Sequence, residues 1–119
     1  MNREPLTIII VPPAKMLTMN NERRLHWSTR AERTRMWREA AYVMAKDYKI
    51  PEMDTVEIDA YITQRGVLAD AGAHAPTIKA IVDGLVDAKM IPNDDPSHLR
   101  ALRIHPPERG EPQIRLVIT

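Results

Sequence analysis

Between Thr55 and Thr63 apolar and polar positions alternate without a break: Val56, Ile58, Ala60 and Ile62 against Glu57, Asp59 and Tyr61. Successive side chains of a strand point to opposite faces, so this pattern predicts a strand buried on one side. Leu6 to Val11 is a short β-branched run closed by Pro12-Pro13 and reads as a buried strand. Ala14 to Ser28 has no clear period and contains Asn20-Asn21, which predicts a long ordered loop. Thr29 is a suitable cap for a helix reaching Lys49, with Trp37, Ala40, Ala41, Met44 and Tyr48 on one face at helical spacing and Pro51 as its stop. Gly66 to Ala75 is rich in small residues and predicts a loop. Pro76 then suits the first turn of a second helix, whose apolar stripe is Ile78, Ile81, Val82 and Leu85. Ile91-Pro92 ends it, and His98–His105 and Gln113–Thr119 read as two further strands. The order is β-α-β-α-β-β. It predicts an α+β fold, a small mixed or antiparallel sheet flanked by two helices, as one domain over residues 1–119.

Composition narrows the core. The chain has no phenylalanine and two tryptophans, so Ile, Val, Leu, Met and Ala must fill the interior. A core of that kind is modest in 119 residues, and homodimerisation is expected to bury part of the apolar surface. The absence of cysteine removes disulfides, thiolate zinc sites and a cysteine nucleophile together. The apolar run at the N-terminus is too short for a membrane span and is not followed by a small-residue cleavage site, so the expected location is the cytoplasm, with no membrane partner.

A net charge of +1 conceals a segregation. Lys15, Arg23, Arg24, Arg30, Arg33, Arg35 and Arg38 face only Glu22 and Glu32 between positions 15 and 38, whereas acids outnumber bases from Glu39 to Asp95. A basic region suits phosphates, and an acidic region beside it suits cations. The acids concentrate around the second helix: Asp70 before it, Asp83 and Asp87 on it with Lys79, and Asp94-Asp95 after it, with His74 at its start. Mg²⁺ is held by one or two carboxylates while keeping several waters, and it can neutralise a phosphate, activate water and stabilise a leaving oxygen. The pattern therefore points to a metal-dependent nuclease, with Asp70 and Asp94 as ligands and Lys79 as the point charge on the phosphate. A helix of about 14 residues is roughly 20 Å long, so this requires the chain after the helix to fold back toward Asp70. Each residue also has a purely structural reading: Lys79 with Asp83 as an i,i+4 surface pair, and Asp70, Asp94 and Asp95 as turn formers.

Three stretches carry a resemblance: RLHWSTRAERTRMWREAAYVMA, APTIKAIVDGLVDAKMIPNDD and the closing IRLVIT. The chain resembles the RusA-type Holliday-junction resolvases, especially actinobacterial and phage versions, over nearly its whole length. The K-A-x-x-D-G-L-x-D-A run followed by a double acid is the most specific part. The resemblance implies a small homodimeric endonuclease that binds four-way DNA junctions and makes paired Mg²⁺-dependent nicks. It matches Asp70 to the first acid of the family's D-x-D-N motif, Lys79 to the downstream lysine, Asp83 to the helical acid and Asp94 to the acid of the double-acid turn. Asp95 takes that place if the alignment slips by one residue. Lys15, Arg23, Arg24, Arg30 and Arg33 are the expected phosphate contacts.

The chain departs from the motif at its centre. Gly72 stands where the second acid belongs, Ala73 replaces the asparagine, and Val67-Leu68-Ala69 replaces arginines that often precede the motif. Three explanations compete. His74 substitutes as a ligand and tilts the preference toward Mn²⁺; Asp95 or Asp83 supplies the oxygen; or the site is degenerate and the protein binds junctions without cutting. An oligomeric interaction module unrelated to DNA is the third class of function.

Overall fold

The computed structural model of the protein describes residues 4–19 and 26–119. Among them the order is β1 (Leu6–Ile10), α1 (Trp27–Asp47), β2 (Val56–Gln64), a 3₁₀ turn (Ala71–His74), α2 (Ala75–Asp87), β3 (Leu99–Ile104), β4 (Glu108–Arg109) and β5 (Gln113–Ile118). This is an α+β domain with a mixed five-stranded sheet in the order β1-β5-β2-β3, β4 pairing beside β2. β5 runs antiparallel to both β1 and β2, whereas β2 and β3 are parallel. A parallel pair needs a crossover, and α2 supplies it. Among the described residues, no helix is long and apolar enough to cross a membrane.

The alternation read in β2 is realised: Val56, Ile58, Ala60 and Ile62 are buried, with Glu57, Asp59 and Tyr61 on the other face. They meet Ile8 and Ile10 of β1, Ile114, Leu116 and Ile118 of β5, and the buried sides of both helices in one core cluster. α2 buries Ile78, Ile81, Val82 and Leu85 as its spacing predicts, and adds Thr77, Ala80 and Gly84.

Several boundaries move. α1 begins at Trp27 rather than after Thr29, because the His26 imidazole accepts from Ser28 N at 3.2 Å and caps the end. Its core residues are Trp37, Ala41 and Ala45, at i, i+4 and i+8. Tyr48, expected on the buried face, is exposed because it is the C-cap, where the helix leaves the core. α2 ends at Asp87, not at Ile91. Lys89 adopts φ 60°, and the amides of Lys89 and Met90 turn back to the carbonyls of Val86 and Leu85. That backward bonding closes a helix C-terminus. Met90 and Ile91 then enter the core on their own.

The helices cross closely at Gly84. A Cβ there would lie 2.2 Å from the Arg38 carbonyl oxygen and 2.8 Å from Ala41 Cβ, so only glycine permits the approach. Arg38 Nε and Nη2 close the same junction from outside, donating to the two carboxylate oxygens of Asp87 at 2.6 and 2.8 Å. Part of the D-G-L-x-D run is therefore explained by packing.

Candidate functional site

The segment after β1 is fixed by two anchors. Trp37 is fully buried and its indole donates to the Lys15 carbonyl at 3.1 Å. Thr77, also fully buried, accepts from Leu17 N at 2.7 Å and donates to Leu17 O at 2.8 Å. One hydroxyl thus satisfies both backbone groups of a residue sixty positions away. The clamp leaves Thr18 and Met19 beside Asp70, where they share a shallow recess of about 400 Å³ with Gly72 and Ala73. Sequence reading missed Thr77; the available signal was a hydroxyl within an otherwise apolar helical stripe.

Asp70 precedes the 3₁₀ turn, and only its backbone carbonyl is engaged, accepting from Ala73 N. Its side chain is exposed and makes no hydrogen bond or ion pair among the described residues. A Cβ on Gly72 would meet nothing within 4 Å, so a side chain at this position would enter open space among the described residues.

His74 faces the other way. It is buried, and its Nε2 lies 2.8 Å from Gln64 Oε1. Gln64 Nε2 donates to Val67 O at 2.9 Å, which orients the amide so that Oε1 must accept from the ring. His74 therefore carries its proton on Nε2, and the Nδ1 lone pair is buried without a partner among the described residues. Burial also holds the imidazole pKa below its ordinary value, against charging. The pair fastens the end of β2 to the start of α2 across the loop that bears Asp70. Gln64 is a second residue that sequence reasoning passed over.

On α2, Lys79 Nζ donates to Asp83 Oδ1 at 2.9 Å and also to the Asp94 carboxylate. The i,i+4 pair expected from spacing is thus present, and a long-range partner joins it. The Asp94 contact, followed by that with Asp83, raises the lysine pKa, and the ammonium holds the Asp94 carboxyl below the usual carboxylate range. Lys79 remains 61% exposed, so the cluster is solvated and easily rearranged. Asp95 is engaged differently, accepting from Ser97 N and Oγ, which lowers its pKa.

The topology explains why the Asp94 contact matters. With β2 and β3 parallel, the loop leaving β2 and the loop entering β3 start from opposite ends of the sheet. The chain after α2 nevertheless returns along the helix, and Asp94 reaches Lys79, eight residues or about 12 Å of axis before Asp87. The chain thus returns along α2 as far as Lys79, which is short of the convergence of Asp94 with Asp70 that the sequence reading required. Asp70, Asp94, Asp95 and His74 do not form a shared cluster: among the described residues, no three or more His, Asp or Glu side chains gather to hold a metal ion.

The donor chemistry still suits a hard cation held by one or two carboxylates, with water and phosphate oxygens completing its shell. His74 is a poor candidate, since its Nε2 is taken and its Nδ1 is enclosed.

The basic segment is less available than its composition implies. Arg35 bridges Glu32 and Glu39, Arg38 is held by Asp87, and Arg30 has a partner of its own. Lys15 is exposed and Arg33 half-buried. Arg23 and Arg24 lie outside the described residues. No protein-family model matches the chain, and no curated protein matches it significantly.

Proposed function

We propose that this protein is a structure-selective endodeoxyribonuclease of the RusA type, acting in the cytoplasm as a homodimer that resolves four-way DNA junctions by paired Mg²⁺-dependent nicks, with Mn²⁺ able to replace Mg²⁺. The observation that carries the reading is the return of the chain after α2, which sets Asp94 against Lys79. A surface pair between Lys79 and Asp83 alone would need no such return. Its existence supports a lysine–acid centre assembled from two distant segments.

In this reading Asp70 offers an unengaged carboxylate at the mouth of the recess, and Asp94 offers a second. A bound Mg²⁺ would supply charge neutralisation on the phosphate and an acidified water. Lys79 is the mobile cation of the site. Its exposed ammonium can leave Asp94 for a phosphate oxygen, where a point charge stabilises the charge developing as the ester breaks. Asp83 keeps the ammonium close in the meantime. Lys15, Arg30 and Arg33, with Arg23 and Arg24 between Lys15 and Arg30 in the sequence, track the backbone without reading sequence. A two-fold dimer addresses two opposed strands of a junction with one centre each.

A second reading, a junction-binding protein that does not cut, is favoured by Gly72 in the acid's place together with the spread of the remaining acids. The two are separated by incubating a labelled mobile four-way junction with Mg²⁺ or Mn²⁺ on a denaturing gel, beside a native gel. Paired nicks that disappear in Asp70→Asn support the nuclease. Retardation without cleavage in either metal supports the binder. No retention of branched DNA at low salt, where phosphate contacts are strongest, rejects both.

A further inference from the structure

The two helices cover one face of the sheet, and the other face carries a second constellation. Arg115 of β5 and Tyr61 of β2 are register partners, and the Arg115 guanidinium lies over the Tyr61 ring at 4.3 Å. His105, which follows β3, stacks on Tyr61 with ring centres 4.3 Å apart and planes 5° from parallel. Three planar groups, from β5, β2 and the segment just after β3, thus form one pile. His105 Nε2 is fixed by Asp59 at 2.8 Å, and Asp59 is shared with Arg103, which also meets Glu57.

The pile is held at His105 by Asp59, yet its polar edge is unused among the described residues. Arg115 makes no hydrogen bond or ion pair among the described residues, unlike Arg103 on the same face. It opens on a recess of about 370 Å³ walled by Tyr61, Thr63, His105, Pro107 and Glu108. A volume near the lower end of small-ligand pockets fits one planar, nucleotide-sized group. The charges select further. A bare anion would meet Arg115 but be opposed by Glu108. A nucleotide satisfies both, its phosphate on the guanidinium fork and an exocyclic amine on the carboxylate. Its base would add one more layer to an existing stack, which is how single strands are held on sheet surfaces.

From this geometry we infer that the open face of the sheet binds one unpaired nucleotide of single-stranded DNA at the Arg115–Tyr61–His105 stack, apart from the Asp70–Lys79–Asp94 region. The choice of DNA rests on the reading proposed above, whereas the ligand's shape and charge come from the recess itself.

The test is fluorescence anisotropy of the full chain with labelled oligo(dA), oligo(dT) and a fully paired four-way junction at low salt. Arg115→Gln should weaken oligo(dA) binding roughly tenfold, the scale of losing one stacked base, while leaving the paired junction bound as before. Arg115→Lys keeps the charge without the planar surface and should recover only part of the loss; melting temperatures of both variants confirm folding. Oligo(dT), lacking an amine for Glu108, should bind more weakly than oligo(dA), and equal binding overturns the assignment of a base to the recess. If the junction binds but Arg115→Gln leaves oligo(dA) untouched, the inference fails while the junction reading survives. If the substitution instead changes only the monomer–dimer balance, the face belongs to a second copy of the chain and the inference also fails. If wild-type protein binds no DNA, both fall.

Discussion

At the scale of single residues, Gly72 is the most informative position. On the proposed reading it stands where an acid of the resolvase motif belongs, and the space a side chain would occupy there is empty among the described residues. Gly72→Asp should therefore fold normally and raise Mg²⁺-dependent junction cleavage, read as initial nicking rate against wild type; unchanged cleavage would show that a missing acid is not what limits the site. His74 gives a separate prediction, in stability. Its folded pKa lies below the ordinary value of about 6.5, so in mildly acidic solution the unfolded chain binds more protons than the native one. The stability from keeping this imidazole neutral is complete above about pH 6.5 and is lost as the pH falls. Thermal melts between neutral and mildly acidic pH should show a decline that His74→Gln flattens. Asp94, whose folded pKa is depressed by Lys79, contributes stability that is present above the ordinary carboxylate value and is lost as the pH falls below it. Much of this chemistry was legible in the chain: Asp70, Lys79, Asp83 and the acid pair stood out by type and spacing. The partner of Lys79 did not, because Asp94 lies fifteen positions away and reaches it through the turn after the helix. Nor did the fate of His74, since a histidine at a helix start reads equally as a ligand or as an interior hydrogen-bonding group until Gln64 is set beside it.

At the scale of elements, the crossing of α1 and α2 organises the helical layer. Gly84→Val would drive a branched side chain into the Arg38 carbonyl and Ala41, and should cost about 3 kcal/mol or more by denaturant titration. Removing the outer brace with Arg38→Ala should cost no more than about 1 kcal/mol, because both partners are substantially solvated. The end of α2 holds a gain in reserve. Lys89 is exposed in the left-handed region at φ 60°, and Lys89→Gly should stabilise the fold by about 1 kcal/mol in the same titration. These features mark the reach of periodicity. The alternation of β2 and the stripe of α2 are local signals and identified their buried faces. Ala45 is in the core and Tyr48 is not, because the helix leaves the core at its C-cap, a fact of tertiary geometry. The two-residue β4 exists only through its pairing with Thr63 and Gln64.

At the scale of the whole molecule, charge segregation in the sequence does not become an open basic face of equal size. Acids on the same helix and on α2 neutralise Arg35 and Arg38, leaving fewer cations for phosphate than composition suggests. Junction affinity should accordingly fall with salt on a shallow logarithmic slope, equivalent to a few phosphates per subunit, since each contact adds roughly 0.9 to the slope on duplex DNA. A slope well beyond that, measured by anisotropy over a salt series, would require the paired arginines to be released on binding.

The anchoring of the Lys15 segment has a mechanical corollary. Because Trp37 grips the Lys15 carbonyl from α1 and Thr77 grips Leu17 from the first turn of α2, that stretch behaves less like a loop than like a strap riveted to two beams. A load applied at Lys15 would be shared between α1, through Trp37, and the helix that bears Lys79, through Leu17 and Thr77. Thr77→Val would keep the shape of the rivet and unfasten it.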